Sequence, residues 1–138
     1  MTATTTPPIV LDLTWQGGMR FAAQSEKAEF VLDGPGSTIP TPVQALAGCL
    51  AACMGIDIVQ ILSKGRHDLK TLRAHLVGDR RGEDPKHFTR IRVHFTLTGD
   101  VPRETVERAI ALSRETYCSV WHSLRRDIDF QTTFEVHT

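Results

Sequence analysis

The sequence has few of the features that indicate binding to nucleic acid, binding to an anionic membrane or export from the cell. Sixteen Lys and Arg residues balance sixteen Asp and Glu residues among 138, and no basic run is longer than two residues. The balanced charge gives no indication of a strongly basic surface that would bind nucleic acid or an anionic membrane. Residues 1–8 have neither a basic segment nor an apolar one, so we predict a short disordered tail rather than a signal peptide. We expect a cytoplasmic protein.

Cysteine is also scarce, since the chain has only Cys49, Cys53 and Cys118. Three thiols in a cytoplasmic protein indicate chemistry, metal binding or packing rather than a disulfide framework. The length fits one domain with its own core, and we predict a single domain over residues 1–138.

Alternating apolar residues predict strands on both sides of one long apolar segment. Residues 9–15 and 19–23 should form a hairpin around Gln16-Gly17-Gly18, and residues 28–33 a third strand. Residues 69–79 and 88–98 follow as strands, then a helix from about Pro102 to Arg126 and a last strand over 128–136. The order βββ-α-ββ-α-β indicates an α+β fold with mostly antiparallel strands.

The segment from Pro42 to Lys64 predicts a helix, with Thr41 as its N-cap and Gly65 at its end. Its apolar residues cover every side, so it should be buried all round. A membrane span is disfavoured because Asp57 would cost about 2.5–3.5 kcal/mol near a bilayer centre. One small sheet and one other helix can scarcely enclose such a helix, so we predict an intimate homodimer.

Spacing alone leaves the role of the cysteines open. Cys49 and Cys53 lie one helical turn apart, about 5–6 Å between Cβ atoms, which is long for an unstrained disulfide. Cys118 is the more credible disulfide partner for either of them. A thiol in an apolar helix is by default a small inert hydrophobic residue, and spacing favours that interpretation.

Two cysteine-bearing segments resemble those of a known family. The stretch Pro42-Val-Gln-Ala-Leu-Ala-Gly-Cys-Leu-Ala-Ala-Cys53-Met-Gly-Ile-Asp57-Ile-Val-Gln-Ile-Leu62 resembles the central helix of the OsmC/Ohr family, near its less characterised OsmC-like branches. The stretch Ala109-Ile-Ala-Leu-Ser-Arg-Glu-Thr-Tyr117-Cys118-Ser-Val is similar to the second cysteine segment of that family. The resemblance implies an intertwined homodimer that acts as a thiol-dependent peroxidase. It also implies that an external dithiol, for example of the lipoyl type, serves as the reductant and that the protein binds no cofactor.

The resemblance also implies roles for individual residues. Cys53 takes the place of the cysteine that attacks an organic hydroperoxide, and Cys118 that of the cysteine that resolves the sulfenic acid into a disulfide. Arg20, after the Gly-Gly turn, is the candidate cation beside Cys53, although it stands one place later than in the family and could be an ordinary solvated charge. Cys49 has no counterpart in the family pattern.

The family's glutamate, which holds that arginine, is replaced by Val43. Gln44, next to it, is a candidate supporting residue that can accept a hydrogen bond without carrying charge. Asp57 is a second supporting candidate, which either organises the pocket with a cation or simply bonds to backbone or to an arginine elsewhere.

Two alternatives remain from the sequence. The missing glutamate permits a member with weak or no peroxidase activity that binds a small hydrophobic or thiol ligand. The pairs Cys49/Cys53 and Cys118/His122, each spaced i and i+4, could instead present four zinc ligands from two helices.

Overall fold

The computed structural model describes residues 5–138, which form two compact units, 5–46 and 47–138. The first four residues of the predicted tail lie outside the described residues, and residues 5–8 have no regular structure. A single domain over the whole chain stays a prediction. The fold class is α+β, as predicted, with two sheets of three strands.

The first unit holds an antiparallel meander of β1 (Asp12–Trp15), β2 (Phe21–Ser25) and β3 (Ala28–Leu32). Gly17 and Gly18 both have positive φ angles, 100° and 56°, which explains why glycines occupy the predicted turn before β2. The first strand is shorter than predicted, and the described residues bury none of its side chains. The alternation over residues 9–15, which is typical of a strand with one buried face, therefore does not correspond to a face buried within the described chain.

Helix α1 (Pro42–Lys64) begins at the predicted residue, because Thr41 and Gln44 cap it reciprocally. The Gln44 backbone N–H donates to Thr41 Oγ1 over 3.1 Å, and the Thr41 N–H donates to Gln44 Oε1 over 3.0 Å. This is a capping box, which satisfies backbone donors that a helix start otherwise leaves free. The Gln44 side chain thus helps to start the helix, and its role as a supporting residue at the site stays a prediction.

Only one stripe of α1 is buried: Leu50, Met54, Ile58 and Leu62, spaced at every fourth residue. Leu46, Ile56 and Val59 remain at least 40% exposed. The chain by itself therefore buries only one side of this helix. Burial of the other sides by a second copy of the chain stays a prediction. By length and composition alone α1 could cross a membrane. The core helix of a soluble protein also meets this criterion of length and hydropathy.

The second sheet consists of β4 (Asp68–Arg80), β5 (Phe88–Asp100) and β6 (Asp129–His137) in that order. β4 pairs antiparallel with β5, whereas β6 pairs with β5 in parallel. The predicted alternation on β5 is confirmed, since Ile91, Val93, Phe95 and Leu97 are at most 1% exposed. α1 lies against this sheet, because a Cβ on Gly55 would come within 4.0 Å of the Leu72 side chain.

The predicted helix over 102–126 is wrong beyond its first half. α2 (Arg103–Leu112) passes into a π-helical turn, Ser113–Tyr117, and the chain becomes extended at Cys118 before the short helix α3 (Ser119–His122). The Cys118 N–H bonds to the Ser113 carbonyl, five residues back, over 2.8 Å. Such π turns cluster at functional sites, and no proline or glycine marks this one in the sequence.

Candidate active site

Cys53 and Cys118 lie together in the second unit, one on α1 and the other at the break that follows the π turn. Cys118 is fully buried and Cys53 is half-buried, and Cys53 lies close enough to Cys118 to raise the pKa of the Cys118 thiol. All three cysteines of the chain are free thiols. The two sulfurs that the sequence resemblance paired are therefore neighbours, although they stand on segments distant in sequence.

The break in the helix gives Cys118 a distinctive environment. With φ −74° and ψ 94° it is the N-cap of α3, and its Sγ accepts the Trp121 N–H over 3.4 Å. Burial raises the pKa of the Cys118 thiol to about 11 against the lowering effect of the Trp121 N–H, and the neighbouring Cys53 and Asp57 make smaller contributions that also raise it. Cys118 therefore keeps its proton at neutral pH.

Asp57 follows Cys53 by one helical turn and is half-buried. Its Oδ2 atom accepts a hydrogen bond from the Ser113 hydroxyl over 2.8 Å, so its partner is neither backbone nor arginine. Asp57 also lines a cleft of about 420 Å³ together with Gln60, Ile61, Lys64 and Tyr117. The carboxylate thus reaches from the thiol pair to an open surface of the same unit.

Ser113 was not a candidate from the sequence, although the structure places it beside Asp57. It stands five residues before Cys118, a spacing that an α-helix does not put on one face, so helical periodicity gave no signal for it. Only its place in the cysteine segment of the family resemblance pointed to its neighbourhood.

Arg20 lies in the first unit, in the turn immediately before β2. Because it stands outside the strand, strand alternation does not decide which way it faces. Its Nε donates to Asp33 Oδ2 over 3.3 Å, and both residues belong to this unit. The Gly34 N–H, the Ser37 hydroxyl and Arg20 hold the pKa of the Asp33 carboxyl below its usual range.

Asp33 is a second residue that sequence reasoning missed. The hairpin register pairs Phe21 with Leu32, so the preceding Arg20 and the following Asp33 meet at the end of the ladder. The predicted strands contained this signal, since a register count would have paired the two charges. Arg20 thus has a carboxylate partner even though Val43 replaces the family's glutamate.

The zinc alternative finds little geometric support among residues 5–138. No three His, Cys, Asp or Glu side chains in this part of the chain lie close enough to hold a metal ion. Cys49 is exposed, and the His122 ring bonds to the Arg114 carbonyl over 2.9 Å. The four residues of that alternative therefore do not converge on one point.

Comparison with known proteins identifies the family of the chain. Residues 34–133 match the sequence profile of the family described as OsmC-like protein. The chain is 36% identical over 125 residues to Protein YhfA of Escherichia coli K12, an alignment that spans 88% of this chain and 93% of that protein.

Solved structures share the fold. A protein from Aquifex aeolicus superimposes with a TM-score of 0.87 at 26% identity, covering 95% of this chain and 97% of that one. An organic hydroperoxide resistance protein from Legionella pneumophila superimposes with a TM-score of 0.70 at 17% identity, covering 96% and 99%. The chain belongs to the OsmC-like protein family.

Proposed function

We propose that this protein is a hydroperoxide reductase in which Cys53 is oxidised and Cys118 closes a disulfide. The observation that carries the proposal is the pair itself: a half-buried thiol beside a fully buried one, brought together from two segments. Their difference in exposure supports this division of roles. A hydroperoxide can reach Cys53 from solvent, whereas Cys118 can be reached only by its protein neighbours.

The chemistry proceeds in two balanced steps. The Cys53 thiolate attacks the terminal oxygen of the hydroperoxide, the O–O bond breaks, and the alkoxide takes a proton and leaves as an alcohol. Cys53 is then a sulfenic acid. The Cys118 sulfur attacks the Cys53 sulfur, and the sulfenic hydroxyl leaves as water with the Cys118 proton.

A dithiol from outside the protein returns two electrons and restores both thiols. We propose an organic hydroperoxide as substrate and a dithiol of the lipoyl type as reductant, following the family resemblance. A reducing cytoplasm is the compartment that suits three free thiols.

Arg20, held by Asp33, is our candidate for the cation that stabilises the Cys53 thiolate. Asp33 supplies the carboxylate that the family's glutamate would supply, and it does so from the end of β3. A guanidinium held by a carboxylate keeps its donors in a fixed orientation, which favours recognition of an anion such as a thiolate.

We propose further that the working form is a homodimer. Within the described chain, large apolar side chains remain exposed on both units, among them Leu13, Trp15, Phe21, Phe30, Leu46, Ile56 and Val59. Such exposed apolar side chains are typical of a protein interface, and a second copy of the chain is the simplest cover.

The test is a titration of the reduced protein with cumene hydroperoxide. One equivalent should produce an intact mass lower by two hydrogen atoms, and peptide mapping should join Cys53 to Cys118 while Cys49 stays alkylatable after unfolding. Turnover with dihydrolipoamide should be lost in Cys53→Ser. A wild-type rate no higher than that of Cys53→Ser would overturn the proposal and favour a ligand-binding role.

A further inference from the structure

The hydrogen bond between Asp57 and Ser113 joins the two segments that carry the candidate thiols. Among the described residues Ser113 is the one buried polar or charged residue, with no exposed surface. Its hydroxyl donates to Asp57 Oδ2 over 2.8 Å. A hydroxyl taken out of water must find such a partner or cost free energy, so this contact fixes where the serine can lie.

Ser113 also bonds to Cys118 through its backbone. Its carbonyl accepts the Cys118 N–H over 2.8 Å and so closes the π turn. One residue thus contacts α1 through its side chain and the Cys118 backbone through its main chain. On α1, Asp57 stands one turn beyond Cys53, so the hydrogen bond between Ser113 and Asp57 links the segment of Cys53 to the segment of Cys118.

We propose that Asp57 and Ser113 are positioning residues that hold Cys118 in reach of Cys53 while the disulfide closes. The inference rests on the proposed function, because it assigns a task within that reaction. Disulfide closure requires Cβ atoms about 3.5–4.5 Å apart, a narrow range. The helical hydrogen bonding that runs through α2 and the π turn ends at Cys118, and only a four-residue helix follows, so secondary structure on the C-terminal side holds Cys118 weakly.

The Asp57 carboxylate also favours the neutral thiol form of Cys118. Burial is the main reason that Cys118 keeps its proton, and the Asp57 carboxylate beside it adds a smaller contribution. Cys118 therefore stays a thiol until a sulfenic acid has formed next to it, and Cys53 alone competes for the peroxide. The hydrogen bond to Ser113 keeps the carboxylate at that place.

The experiment separates the two chemical steps in Ser113→Ala. Sulfenic acid at Cys53 is trapped with dimedone, and the disulfide is followed by rapid quench and intact mass. We expect Cys53 oxidation within about twofold of wild type. Closure should be slowed about tenfold or more, the factor that corresponds to a lost hydrogen bond to a charged group. The sulfenic acid should then accumulate and over-oxidise to sulfinic acid.

Matched variants exclude a general loss of packing. Ser113→Thr and Ser113→Val fill the same volume and differ in the hydroxyl, so closure should be faster in the threonine variant, and this pair decides the question if Ser113→Ala is unstable. Asp57→Asn keeps an acceptor without the charge and should retain most of the closure rate. Ser123→Ala removes a hydroxyl whose bond to the Ser119 carbonyl stays within its own turn, so closure should be unchanged.

The outcomes are distinguishable from failure of the proposed function. If wild-type protein forms no sulfenic acid and no Cys53–Cys118 bond, the peroxidase proposal fails. If wild type closes the bond and both Ser113→Ala and Ser113→Val close it at the wild-type rate, the peroxidase proposal stands and the positioning role is overturned. Equal slowing in the threonine and valine variants would also overturn it, because the hydroxyl would then not matter.

Discussion

The backbone nitrogen of Trp121 lies 3.4 Å from the sulfur of Cys118, and its N–H donates to that sulfur. The same sulfur is buried beside Cys53 and Asp57, and burial is the stronger influence, so the pKa of Cys118 rises to about 11. The bond to Trp121 orients the thiol without ionising it. Iodoacetamide at about pH 8 should therefore label Cys53 well before Cys118 in the native reduced protein.

The raised pKa of Cys118 predicts a loss of stability in alkali. An ordinary thiol in the unfolded chain loses its proton near pH 9, whereas the folded protein keeps it up to about pH 11. The folded state then binds more protons across this window, so its free energy of unfolding falls as pH rises from about 9 to about 11. Below pH 9 the contribution is fully present.

Denaturant unfolding of wild type and Cys118→Ser, both kept reduced, measures this effect. Lysine and tyrosine residues titrate equally in both proteins, so the difference between the two curves reports Cys118 alone. The wild-type curve should fall more steeply above pH 9. Parallel curves would show that the Cys118 thiol is not perturbed by the fold.

Substitution of each remaining cysteine should separate their tasks. Cys118→Ser should still be oxidised at Cys53, but without a resolving thiol it should over-oxidise and lose multiple turnover. Cys49 is exposed, one turn before Cys53, and Cys49→Ser should retain nearly full activity. Steady-state assay with cumene hydroperoxide and mass spectrometry of the products measure both. An inactive Cys49→Ser would contradict the assignment of the reactive position to Cys53.

Removing the Arg20 charge should slow the first chemical step. We expect Arg20→Ala to reduce Cys53 oxidation about tenfold or more and to shift Cys53 alkylation to higher pH, with part of the rate restored in Arg20→Lys. Asp33→Asn should have a smaller effect in the same direction, because the guanidinium loses its carboxylate partner. Stopped-flow oxidation and alkylation across pH provide the measurements.

Lys27→Ala is the matched control, since it removes an exposed cation from the turn between β2 and β3 of the same unit. Its oxidation rate should equal that of wild type. If Arg20→Ala also behaves like wild type, another group stabilises the thiolate.

The exposed side of α1 predicts how the protein assembles. Ile56 is a large apolar residue of α1 that is 59% exposed in the chain, and in the proposed dimer a charge at that position would be buried against the partner copy. Wild type should be a folded dimer by light scattering at low micromolar concentration, and Ile56→Asp should dissociate or unfold. Arg108→Asp, on the exposed side of α2, should remain dimeric. A folded wild-type monomer at that concentration would contradict the prediction.

Much of the fold could be predicted from local signals. The capping pair Thr41 and Gln44 marks the start of α1, and the glycines after Trp15 mark the first turn. Alternation along β5 identified its buried face. The helix break at Cys118 was missed because a π turn needs one extra backbone residue and no special side chain, so composition alone continues the helix.

Local signals in the sequence predict less of the candidate site than of the fold. The cysteine pair came from resemblance, since its two members are far apart in the chain and no local rule joins them. The Asp57–Ser113 contact spans 56 residues, and neither residue carries a pattern that selects the other. The contact between Arg20 and Asp33 was easier to predict than the contact between Asp57 and Ser113. The register of a hairpin is local, and it places the residues at the end of the ladder opposite each other.

The parallel pairing of β6 with β5 has a consequence for the order of folding. β4 and β5 are joined by a short loop and can pair early, but β6 can join them only after the connection through residues 101–128 has been made. Cys118 lies within that connection. A newly synthesised chain should therefore present Cys118 as an accessible, unhindered thiol until the last strand is in place. During that interval it is open to the mixed disulfides and alkylation from which its burial later protects it.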